Sequence, residues 1–140
     1  MKDSFQLDSN IGKIAEDFAL DAIDFASSEL DINLNWSDES IKHVEHILSI
    51  FHDQLHETKL SDSKLTMFAQ MFGSYLGEVY RRNHTAEWGM VTSKGDSIPG
   101  MQTSNKQCFL PWGRAIDRIV KGPENNIWDY YQDILSDKQV

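Results

Sequence analysis

The chain has one cysteine, Cys108, three prolines and no apolar run near the roughly 18 to 20 residues that a membrane-crossing helix requires. A single thiol excludes an internal disulfide and any zinc site built from several cysteines, and it fits a reducing compartment. Set between apolar neighbours in QCFLPW, Cys108 reads as a buried structural thiol. The opening MKDSFQLDSN has no apolar h-region, so no secretory signal is read there and the expected location is the cytoplasm. Basic charge is also scarce. Thirteen Lys and Arg face 22 Asp and Glu, a net of −9, which argues against nucleic acid, whose binding relies on cationic side chains releasing phosphate counterions.

Catalytic signatures are missing as well. No serine lies in a G-x-S-x-G context and no glycine-rich loop joins a strand to a helix, so the sequence predicts neither an enzyme nor a cofactor. Four of the five histidines, His43, His46, His52 and His56, fall at i,i+3 and i,i+4 spacings, but HDQLH lacks the glutamate of H-E-x-x-H and no third ligand is evident. They read as solvated side chains, and no metal is expected.

What is present is helical period. At 140 residues the chain is the size of one domain, and residues 1–140 are read as a single one. Ser9 or Asn10 can cap a first helix running to about Leu30, with Ile11, Ile14, Ala15, Phe18, Ala22, Phe25 and Ala26 on one face. Ser37 opens a second helix whose stripe is Ile41, Val44, Ile47, Leu48, Phe51 and Leu55, and Trp36 with Ile41 has the spacing of a hydrophobic staple. Ser61 or Ser63 caps a third, about Lys64 to His84, the most apolar and the expected centre of the fold. Beyond His84, glycines and prolines replace the period. Trp88–Thr92 and Lys106–Leu110 are read as a two-stranded antiparallel hairpin looped through Gly95 to Gly100, followed by short helices over Arg114–Val120 and Asn126–Ser136. The expected fold is α+β, mainly helical: three long helices, a small hairpin and two short C-terminal helices.

Two constellations stand above this background. Asp17, Asp21, Asp24 and Asp31 recur at helical spacings opposite the apolar face of the first helix, and residues 1–62 carry 14 acidic against 4 basic side chains. Such a concentrated negative surface suits a basic protein partner, because it speeds encounter and penalises wrong partners. One concrete form is an immunity or antitoxin-like inhibitor of a basic toxin; the plain alternative is a solvated face. The second constellation is GSYLGEVYRRNHTAEWG. Gly73 and Gly77 stack one turn apart, each costing about 1 kcal/mol against alanine, so another backbone should approach there. Glu78 and Arg82 form a favourable i,i+4 pair. An alternative ligand or enzymatic site would lie on this glycine face, with Glu78, Arg81, Arg82, Trp88 and Trp112 around it.

The Gly-x-Tyr-x-Gly-Glu-Val-x-Arg helix from Gly73 to Arg81, the Trp88-Gly89 corner, the proline-anchored Phe109-Leu110-Pro111 segment, Lys121-Gly122 and the Tyr130-Tyr131 helix resemble a loose group of small bacterial domains of unknown function. The resemblance spans about residues 65–135. It implies a small α+β bacterial protein, carries no catalytic residue over, and leaves the two acidic helices outside.

Overall fold

The computed structural model describes residues 3–136; positions 1–2 and 137–140, the two ends of the expected 1–140 domain, lie outside the described residues. The fold is α+β and mainly helical, as expected. The N-cap of helix α1 (Ser9–Leu30) lies one residue before Ser9, the earlier of the two expected caps. Asp8 is the N-cap, its Oδ1 accepting from the Asn10 amide at 2.9 Å, and Asp31 ends the helix in the left-handed region at φ 54°. The Ile32 amide then donates back to the Ala26 carbonyl at 2.9 Å, satisfying one of the helix's terminal acceptors.

Ala15, Ala19, Ala22 and Ala26 form the fully buried stripe of α1, and their small side chains let it lie close along α3 (Asp62–Asn83). Ile14 was expected in that stripe, yet it stands 48% exposed, because the seam is set by the alanines and turns Ile14 past its edge. Helix α3, capped by Ser61 Oγ on the Lys64 amide, is central: every residue from Met71 to Tyr80 is buried. A 3-10 turn, Asp38–Ser40, capped by Ser37, leads into α2 (Ile41–His56), whose buried stripe is the expected Ile41, Val44, Ile47, Leu48 and Phe51.

The expected hairpin is a four-stranded antiparallel sheet in the order β1-β2-β3-β4. Strand β2 (Ala86–Ser93) pairs not with residues 106–110 but with β3 (Asp96–Thr103), through a two-residue turn at Lys94 and Gly95 with φ 53° and 87°. Two positive φ values in succession match the right-handed twist of the flanking strands. Pro99 and Gly100, read as turn residues, lie inside β3. Strand β4 (Cys108–Phe109) pairs only with Met101 and Gln102, so Pro99 occupies the stretch it does not reach, the edge setting that tolerates a missing N–H. Strand β1 (Ser4–Leu7), absent from the sequence expectation, pairs with β2 on the other edge.

Helix α4 (Pro111–Lys121) begins three residues before the expected Arg114, with Pro111 at its first turn, and α5 (Ile127–Leu135) closes the core with Ile127, Tyr130, Tyr131 and Ile134, leaving Leu135 exposed. Among the described residues no helix is long and apolar enough to cross a membrane.

Candidate functional site

Glu78 is the most confined carboxylate of the described chain, its side chain 1% exposed. Arg81 Nε donates to Oε2 at 2.8 Å and Arg81 Nη2 to Oε1 at 2.9 Å, a two-pronged clamp from one turn along α3. Trp88 Nε1 on β2 donates to Oε2 at 2.9 Å, and Arg82 Nε stands 3.5 Å from Oε1. The expected i,i+4 pair with Arg82 exists, but Arg81 is the closer partner and folds back over the carboxylate. Burial raises the acid's pKa; the hydrogen bonds of Arg81 and Trp88 and the two guanidinium charges outweigh it, so Glu78 is held below the ordinary carboxylate value.

The clamp extends into the connector before α2. The Arg82 guanidinium lies 3.7 Å over the Trp36 ring, and Trp36 stacks on Tyr75 at 5.2 Å. The Trp36 amide donates to Tyr75 Oη at 3.0 Å, Ser40 Oγ lies 2.6 Å from the same oxygen, and Asn83 Nδ2 donates to the Trp36 carbonyl at 2.8 Å. Trp36 has φ 68°, a conformation costing on the order of 1–3 kcal/mol for a bulky residue. These contacts to ring, amide and carbonyl offset that strain and tie the connector to α3.

The glycine face is filled from within the fold. A Cβ on Gly73 would lie 2.7 Å from the Pro111 carbonyl oxygen, so helix α4 approaches backbone to backbone there. A Cβ on Gly77 would overlap the Trp88 ring. Trp112 belongs to the Gly73 contact: its Nε1 donates to Ser74 Oγ at 2.7 Å and its ring meets Phe18 edge-on. Gly77, Glu78, Arg81, Arg82 and Trp88 are therefore brought together, while Gly73 and Trp112 form a second contact one turn back. Both oxygens of Glu78 are engaged, and the glycine surface is covered by Pro111 and Trp88. The arrangement locks α3 to the sheet and to the connector.

Asp17, Asp21 and Asp24 are exposed and share one side of α1, whereas Asp31, the αL cap, leaves the helical line. Among the described residues none of the four makes an ion pair, and exposed Ile14 and Leu20, 48% and 47% exposed, flank the three helical aspartates. The remaining acids of interest behave oppositely. Glu45 accepts from Arg118 Nε and Nη2 at 2.8–2.9 Å and from the Ile127 amide at 2.9 Å, tying α2 to α4 and α5. Asp38 accepts from Tyr131 Oη at 2.5 Å and faces His84 Nε2 at 3.1 Å.

The histidine expectation needs one correction. His43 and His46 are exposed, but His52 is half-buried and its Nδ1 donates to the Ile119 carbonyl at 2.7 Å, with the His56 ring edge-on at 4.3 Å. No group of three His, Cys, Asp or Glu among the described residues is arranged to hold a metal ion. Cys108 is also only half-buried and lies on a cavity wall.

Comparison with known proteins bears on the fold. A crystal structure of a protein from Bacteroides thetaiotaomicron superimposes with a TM-score of 0.65 at 13% identity, covering 98% of this chain. The chain spans about half of that protein, 48% of its length. No protein-family model and no curated protein matches the sequence.

Proposed function

We propose that this chain is a non-catalytic, cytoplasmic binding protein that engages a basic protein through the acidic face of α1, as an immunity or antitoxin-like inhibitor engages a basic toxin. The observation that carries the reading is the contrast between two sets of carboxylates. Glu45 and Glu78 are consumed by internal cations, whereas Asp17, Asp21 and Asp24 have no internal ion pair among the described residues and stand beside exposed Ile14 and Leu20. Unpaired charge steers a cationic partner and sets its register, and aliphatic side chains at the same place supply the apolar area that steering alone does not. A partner covered over its catalytic or target-binding surface would be silenced without any chemistry by the inhibitor.

The test is affinity capture from the source organism with the wild-type chain and with an Asp17→Lys/Asp21→Lys/Asp24→Lys variant, followed by purification of whatever basic protein is retained. Titration of the pure pair at two salt concentrations, and assay of the partner's own activity with and without the chain, complete it. The reading expects salt-sensitive binding by the wild type alone and loss of the partner's activity on binding. A partner held equally by both baits refutes it.

A further inference from the structure

Apart from the α1 face, the described chain has a cavity of about 470 Å³ where the start of α4 meets β4 and α5, and its lining is chemically two-sided. Leu110, Phe109 and Ile116 give it an apolar wall. Arg114 is the one basic side chain of that lining, and Asp3, Asp117 and Asp133 are its acids. Arg114 sits three residues before Asp117 on α4, a spacing at which the two side chains could pair, yet it makes no ion pair among the described residues. Its guanidinium lies 4.8 Å from the centroid of the Tyr130 ring and its Nε is buried without a hydrogen-bond partner. Tyr130 is itself fixed, its Oη accepting from the Leu110 amide at 3.3 Å. Asp117 has Lys121 at 3.6 Å, while Asp133 has no ion-pair partner among the described residues.

A ligand bearing only negative charge would meet the three carboxylates of this cavity, and one bearing only positive charge would meet Arg114. A molecule with both charges answers both. Cavities of roughly 300–1,000 Å³ with an apolar wall and a few convergent polar groups are the usual form of small-ligand sites. We propose that the cavity binds a small zwitterion of the α-amino acid class with an apolar side chain, its carboxylate at Arg114, its ammonium at Asp133 and its side chain against Leu110 and Ile116. The guanidinium is held on the Tyr130 ring face in advance, so little side-chain freedom is lost on binding. This inference does not depend on the α1 reading.

Cys108 lines the cavity and is the chain's one thiol, so its alkylation by iodoacetamide reports occupancy directly. The probes are L-leucine and L-phenylalanine, with leucinamide, which lacks the carboxylate, and N-acetyl-leucine, which lacks the ammonium. Calorimetry and Cys108 protection should show binding by the free amino acids and about tenfold or weaker binding by each derivative, the loss of one charge-assisted contact. Arg114→Met should erase the preference for leucine over leucinamide, and Asp133→Asn the preference over N-acetyl-leucine, with circular dichroism confirming the fold. Should Arg114→Met fail to fold, the half-buried Asp133 carries the test alone. Failure of millimolar leucine and phenylalanine to slow alkylation or release heat, or equal binding of amino acid and derivatives, overturns the proposal.

Discussion

Replacing Glu78 by Gln keeps the shape of the side chain and removes its charge, so it measures what the clamp contributes. In the wild type the carboxylate receives three hydrogen bonds, two from Arg81 and one from Trp88, with Arg82 alongside at 3.5 Å. The amide has one acceptor oxygen and places an N–H₂ toward donors, so at least one of these bonds is lost and becomes a donor-to-donor contact. Breaking a buried ion pair commonly costs about 3–5 kcal/mol. Here the side chains of Arg81 and Arg82 are 39% and 35% exposed and can turn to water, which lowers the figure, whereas the Trp88 indole N–H is buried and cannot. A loss of about 2–4 kcal/mol follows, a large share of the roughly 5–15 kcal/mol that holds a domain together. The pH dependence has a definite sign. Glu78 is held below its ordinary value in the folded state, so its stabilisation is present above the unfolded pKa and disappears as the pH falls through the folded one. Urea denaturation of both proteins across the acid range is the assay. The wild type should lose stability on acidification more steeply than Glu78→Gln, and the two curves should converge at low pH. Equal stability at neutral pH, or parallel acid limbs, refutes the clamp as drawn.

Other perturbations test the remaining contacts. Gly73→Ala should destabilise despite a gain of about 1 kcal/mol in helix propensity, because its Cβ would meet the Pro111 backbone at 2.7 Å; a rise in melting temperature would show that α4 is free to withdraw. Burial raises the pKa of Tyr75, Tyr130 and Tyr131, Tyr130 to about 12, so their phenolic protons should titrate late by absorbance at 295 nm. Folded values above the unfolded one mean that stability is intact below the unfolded tyrosine pKa, about 10, and is lost as pH rises beyond it; four tyrosines titrating together near that value in the native protein would contradict the packing.

Elements with a long, regular period and a local cap were legible from the residues alone. The stripe of α2 and the apolar run of α3 carry their own evidence, because burial on a helix repeats every three or four positions. The sheet was harder, since its pairing is written in residues far apart. Strand β1 is four residues long and pairs with Gly89–Thr92, more than 80 positions away, and nothing local marks it. The true turn at Lys94-Gly95 asks a lysine to adopt a positive φ, while Pro99 and Gly100, the stronger turn signal, are accommodated inside a strand. The same distinction separates the side-chain constellations. Glu78 was visible because its cations are three and four residues along one helix, though only rotamers decide that Arg81 lies closer than Arg82. Glu45 and Arg118, 73 positions apart, left no trace in the sequence. The aspartates of α1 were legible as a stripe; their lack of internal partners and the exposure of Ile14 and Leu20 beside them needed the packing.

The central functional claim is that these aspartates are a contact surface and not a solvated face. Its most direct measurement is the affinity of the captured basic partner for the wild type and for the Asp17→Lys/Asp21→Lys/Asp24→Lys variant, at low and moderate salt, with unfolding curves of both chains. Reversing all three charges leaves like charges at the same helical spacings, and each such pair is worth only about 0.2–0.5 kcal/mol, so both should unfold alike. The account predicts a stability change of that small size together with loss of binding in the variant. Binding retained by a folded variant contradicts it.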